Sequence, residues 1–179
     1  MRFASGLTLI GLLIYVSSLV VILLVMVSFL SRLISFNTAH QVTGEVLDNA
    51  RQALHVIAQE IRFASDIYQP TSSFGAHPGQ LSLATTRDLP EDENITYVDF
   101  YVDDALIYVK REGQAAQLLN SERMKVVSLA FTELNAEGPS PSIQVSLSLA
   151  LDSPDPPIVT ATTVSLTTTV ALRAYNPAP

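Results

Sequence analysis

Apolar residues run without a charge from Leu7 to Leu30. In a helix rising 1.5 Å per residue, such a run reaches roughly 36 Å, against a bilayer hydrocarbon core of about 30 Å. Beyond it the helical spacing persists while the chemistry changes. No proline occurs from Ser31 to Ser65. Val46, Ala50, Leu54, Ile57, Ile61 and Ala64 recur in steps of three and four, with Asp48, Gln52, His55, Gln59, Arg62 and Asp66 on the opposite stripe. The spacing predicts one helix from Leu7 to about Ser65, transmembrane over residues 7–30 and an amphipathic extension over 31–66. Arg62 and Asp66 are spaced to pair across one turn, for a few tenths of a kcal/mol. Asn37-Thr38 and Gly44 are the weak points of this helix, since glycine costs about 1 kcal/mol relative to alanine in a helix interior.

Turn chemistry follows: Pro70, Gly75, Pro78 and Gly79 mark a loop between Tyr68 and Gln80. The period then changes to two. From Ser142 to Leu151, Ile143, Val145, Leu147, Leu149 and Leu151 alternate with Ser142, Gln144, Ser146 and Ser148, the pattern of a half-buried strand with one wet face. Ile95–Val102 places Val98, Phe100 and Val102 on one face, and Lys125–Phe131 places Val127, Leu129 and Phe131 likewise. Ile158–Ala174 is rich in threonine and valine, which suit a pleated surface. Leu81–Thr85 and Leu106–Lys110 are shorter candidates, and Asp152-Ser-Pro-Asp-Pro-Pro157 is a rigid turn suited to a hairpin between the last two strands. About six strands without a second helix leave nothing to make parallel crossovers. The expected class is α+β: a long N-terminal helix packed on a mostly antiparallel β-sheet, the head occupying residues 67–179.

Charge sharpens this division. All 17 acidic residues begin at Glu45, and of the 10 basic residues only Arg2 and Arg32 precede it. The portion after the apolar run is therefore acidic, which disfavours nucleic acid and a polybasic lipid-binding surface. The chain has no cysteine, so disulfides and thiolate metal sites are excluded. A short basic tail inside and the acidic head outside is the expected orientation.

The stretch Met1-Arg-Phe-Ala-Ser-Gly6, followed directly by Leu7-Thr-Leu-Ile-Gly-Leu-Leu13, sets the expected cut before the apolar run, so that the run is retained. An ordinary secretory signal instead has an apolar core of about 7–15 residues ahead of its cleavage site. This stretch resembles the type III signal of type IV pilin-like proteins, the pilins and the pseudopilins of type II secretion and DNA-uptake machines. The resemblance implies a leader over 1–6, prepilin peptidase cleavage after Gly6, methylation of the Leu7 amine, and assembly through Leu7, Leu9, Ile10, Gly11, Leu12 and Leu13. It also implies other pilin-like subunits and inner-membrane assembly machinery as partners. The expected location is the inner membrane, single-pass with the head extracytoplasmic, and the filament after assembly. Asn49-Ala-Arg-Gln-Ala-Leu54 with Ile61-Arg-Phe-Ala64, and Met124-Lys-Val-Val-Ser-Leu-Ala-Phe-Thr132 before the strand at Ile143, look like W-type minor pilins and J-type minor pseudopilins. One departure matters. Gly11 occupies the fifth position after the expected cut, where most members carry a glutamate thought to meet a neighbour's amino terminus. A carboxylate in lipid costs several kcal/mol unless paired. The K-type minor pseudopilins also lack it and sit at the filament tip, so a tip or initiating subunit fits better than a repeating one.

Candidate chemistry adds little. His40, His55 and His77 lack metal-ligand spacing, and neither a nucleophile elbow nor a phosphate-cradling glycine loop is present. No enzyme activity, cofactor or metal is expected. Asp88-Leu-Pro-Glu-Asp-Glu-Asn94 offers oxygen ligands but lacks calcium-loop spacing. Asp99, Asp103 and Asp104 fit a wet sheet face and a turn, and Asn94-Ile-Thr96 matches a glycosylation acceptor by pattern. Ser17, Ser18 and Ser28 fit bonding to helix carbonyls or to neighbouring helices. Helix–sheet packing is assigned to Val46, Ala50, Leu54, Ile57 and Ile61. Two other functions compete with the filament: a single-pass anchored binding protein that never polymerises, and a secreted domain cut near Ala39.

Overall fold

A computed structural model describes residues 9–87, 89, 93–135, 141–152 and 163–173, leaving aside the side chains of 33–40. Helix α1 runs unbroken over Leu9–Phe63, passing through Gly44. Eight strands follow: β1 (Asp66–Ile67), β2 (Leu81–Thr85), β3 (Thr96–Asp103), β4 (Leu106–Arg111), β5 (Gln117–Leu118), β6 (Met124–Leu134), β7 (Ser142–Leu151) and β8 (Thr163–Ala171). Residues 9–41 belong to one compact unit and residues from Val42 onward to a second.

In the second unit the apolar stripe of α1 is core. Val46, Ala50, Leu54, Ile57, Ile61 and Ala64 are buried, joined by Ala53, while Asp48, Gln52, His55, Gln59 and Arg62 are exposed. The stripe packs with Leu81, Leu83, Phe100, Ile107, Met124, Leu129, Phe131, Ile143 and Leu147 from the strands. Each fully buried Val, Leu or Ile side chain contributes about 1.5–3 kcal/mol from area removed from water.

The helix ends because the sheet captures the chain. The amide of Ala64 still bonds the Glu60 carbonyl (2.9 Å), but that of Ser65 turns to Ala84 O in β2 (2.8 Å). Asp66 therefore opens β1 and accepts the Ile67 amide on Oδ1 at 2.8 Å, so the expected Arg62–Asp66 pair does not form. Phe63, left exposed at the helix end, is covered by the Arg87 guanidinium 4.2 Å from its ring centre.

The pairing is antiparallel throughout the described strands, but it makes two sheets where the alternation suggested one. Strands β1-β2-β3-β4-β5 form the first and β6-β7-β8 the second. A buried amide joins them. Asn120 Oδ1 accepts the Ile107 amide (2.7 Å), and its Nδ2 donates to the Met124 carbonyl (3.1 Å). β1 and β5 are two residues each, too short for alternation to reveal.

One face assignment is reversed. Val127, expected inward with Leu129 and Phe131, is exposed, and Val126 is buried. The register shifts between Val126 and Ser128, a β-bulge that inserts one residue and changes the parity of everything before it. β7 has the expected bounds and inward face, with Ile143, Val145, Leu147 and Leu149 buried. β8 pairs with β7 as a hairpin requires, although the connecting residues 153–162 lie outside the described set.

Candidate functional site

Leu9–Arg32 is long and apolar enough to cross a membrane by length and composition, and none of it is buried by the rest of the protein. Leu9 is 81% exposed, and even the least exposed large apolar side chain of the segment, Leu19, is 44% exposed. An apolar surface of this extent exceeds the few hundred Å² tolerated in water, so lipid or other apolar helices must cover it. Its serines are compatible with that. Ser17 Oγ donates to Ile14 O and Ser18 Oγ to Tyr15 O, each at 2.9 Å, so both hydroxyls are satisfied inside the helix.

Leu9, Ile10, Gly11, Leu12 and Leu13 form the first turns of α1. Gly6 and Leu7 lie outside the described residues. Arg32, exposed, is the only charge in the segment and closes it.

Polar ties that the sequence did not announce secure the other half of α1. Glu60 pairs with Arg111 of β4, both side chains largely shielded from solvent. Glu45 Oε1 meets Arg123 Nη1 at 3.0 Å, and Asn49 Oδ1 accepts the Ser121 amide at 3.0 Å. Asn49 Nδ2 in turn donates to Glu45 O, its own helix four residues back (2.9 Å). Arg111, Arg123 and Ser121 are distant in sequence, which is why only the helical placement of Glu45, Asn49 and Glu60 was legible.

Among the described residues the head carries an open groove of about 410 Å³, lined by Tyr68, Thr71, Tyr97, Asp99, Lys110, Glu112 and Gly113. The Tyr68 and Tyr97 rings lie 5.0 Å apart and tilted. Glu112 Oε2 is engaged by the Tyr97 amide at 3.2 Å and is structural. Asp99 is half-buried on β3, whereas Asp103 and Asp104 are exposed at its end, as a wet face and a turn require.

His55 is exposed on α1, and His77 Nδ1 accepts the Leu129 amide (3.1 Å), a role for which sequence gave no signal. The side chain of His40 lies outside the described residues. Among the described residues no group of three or more His, Cys, Asp or Glu side chains is placed to hold a metal ion. Most of the acidic run 88–94 falls outside them. Asn94 is exposed, but Thr96, two residues on, is buried.

These features define a class: a protein with one membrane-length helix whose continuation is core to an antiparallel head. No family model matches the chain, and no curated protein matches it in sequence. A solved structure, a type IV-like pilin from Thermus thermophilus, is similar at a TM-score of 0.47 and 13% identity, over 72% of this chain and 96% of that one. A likeness at that level carries no weight for function, which rests on the chain's own residues.

Proposed function

We propose that the protein is a minor pilin or pseudopilin subunit of a type IV pilus, type II secretion or DNA-uptake filament. Its leader is removed after Gly6 and the new Leu7 amine is methylated. The helix over 7–30 holds it in the inner membrane with the acidic head outside, and later packs against the equivalent helices of neighbouring subunits. The observation that carries this reading is the double use of α1: wholly exposed and uncharged over residues 9–31, then core of the head from Val46 to Ala64. In a simple tether the extension would pack against its own sheet as well, but its continuity with the anchor would serve no further purpose. In a filament that continuity ties the position of each head to the packing of its helix.

Exchange from lipid to a helix bundle moves an apolar surface between two apolar surroundings. Its driving force is packing plus external work from an assembly motor. Gly11 brings no carboxylate to that bundle, which speaks against a repeating shaft subunit and favours a tip or initiating one. The groove beside Tyr68 and Tyr97 is the feature that favours the alternative, an anchored extracytoplasmic binding protein that does not polymerise.

Replacing Gly6 with phenylalanine tests the assignment. The expected outcome is an unprocessed chain that accumulates with Met1 in the membrane fraction, read by mass spectrometry. Normal maturation of that variant contradicts the pilin reading.

A further inference from the structure

Strand β8 is an edge that nothing in the described protein blunts. It runs nine residues, Thr163–Ala171, and pairs with β7 from Ala150↔Thr163 to Ser142↔Ala171 without a register shift. It carries no charged residue, no proline and no glycine. Edge strands are ordinarily protected by lysines, prolines, bulges or a covering segment. The opposite edge of the same sheet has such protection. β6 is bulged, and the 75–79 loop lies along it, with Gly75 N donating to Phe131 O (2.8 Å), Gly79 N to Leu129 O (2.9 Å), and His77 Nδ1 receiving Leu129 N. Among the described residues no backbone group bonds the outer edge of β8.

We propose that β8 pairs edge to edge with β8 of a second copy of this chain, antiparallel about Thr167. Three observations select this occupant. First, β6 is covered and β1 and β5 are two residues each, so the long open edge that a second copy presents is its own β8. Second, full overlap of two nine-residue strands puts the twofold axis at the middle residue, Thr167. That register keeps each face with its like: Val164 opposes Val170, Leu166 opposes Thr168, and Ser165 opposes Thr169. A one-residue slip would set the apolar side chains against the wet face. Third, the absence of charge on β8 removes like-charge repulsion at the contact, although the whole chain carries a net charge of −7. On the wet face the hydroxyl pairs Ser146–Thr167 (3.3 Å) and Ser148–Ser165 (2.8 Å) would extend to the next strand. The contact is isologous and closes on itself, so it makes a dimer and not a fibre. It is independent of the filament proposal.

The cysteine-free chain allows a direct test in the full-length protein held in detergent micelles. In this register Thr167 faces itself, with Cα atoms about 4.5–5.5 Å apart, within disulfide reach. Mild oxidation of Thr167→Cys should convert most of the protein to a covalent dimer. Ser165→Cys sits about 13 Å from its own copy and should stay monomeric. The Ser165→Cys/Thr169→Cys double variant should cross-link. Thr132→Cys, exposed on β6, is the control for collision within a micelle. Thr167→Lys, at an exposed position, should halve the particle's protein mass by light scattering while its circular dichroism stays native. The proposal is overturned if Thr167→Cys gives no covalent dimer, if Thr132→Cys or Ser165→Cys cross-links as readily, or if a folded Thr167→Lys chain keeps the parent's mass. Leader processing of these variants is read separately, so failure here leaves the pilin assignment untouched, and the reverse also holds.

Discussion

At the β3–β4 turn, Asp104 and Ala105 both have positive φ, 45° and 58°. A two-residue hairpin turn of this hand demands such angles at both positions, which is why asparagine and glycine usually fill them. Aspartate tolerates the left-handed region, but alanine pays about 1–2 kcal/mol for it. The Ala105 carbonyl accepts the Val126 amide at 2.8 Å, so the turn is also fastened to the bulged end of β6. Ala105→Gly is expected to keep that bond, which uses only backbone, and to raise stability by roughly 1 kcal/mol. Urea unfolding of the detergent-held chain, followed by tyrosine emission in this tryptophan-free protein, measures it. A turn was legible at Asp103-Asp104 from composition. Its geometry was not, because alanine carries no turn signal. Val127 shows the same limit, since no glycine or proline announces the bulge that turns it outward. His77 and Gly79 were seen only as loop residues. A Cβ on Gly79 would meet Leu129 O and Phe131 Cδ2 at 3.0 Å, a closeness set by a strand some fifty residues away.

Among elements, α1 was the most legible and the sheets the least. The stripe from Val46 to Ala64 is a local property of spacing, and burial follows it position by position. Ile57, fully buried at its centre, should cost about 2–5 kcal/mol when cut to alanine, whereas Gln59→Ala on the exposed side should stay within about 0.5 kcal/mol. Gly44 tests the helix itself. It lies within α1, and a Cβ there meets nothing within 4 Å, so Gly44→Ala should stabilise by about 1 kcal/mol. Both are read as shifts of the same urea midpoint, in opposite directions. The strands longer than a few residues were also local signals, and β2 and β7 have the bounds their sequence predicts. Which strands pair is not local. Asn120 bridging Ile107 to Met124 and the Glu60–Arg111 pair tie these elements together through contacts that periodicity does not encode.

For the whole molecule the governing fact is that one helix carries two kinds of surface. Its exposed first segment is apolar on every side, and its second half is covered by the head on one stripe. The membrane-length segment was fully legible, since length and hydropathy alone define it. The proposed role rests on the short stretch around Gly6 and Leu7, and within that proposal Gly11 favours a scarce subunit over a repeating one. Intact mass and N-terminal sequencing of the protein extracted from its native membrane test this most directly. The account predicts a chain that begins at Leu7 with a methylated amine. A chain that keeps Met1, or one that begins near His40, contradicts it.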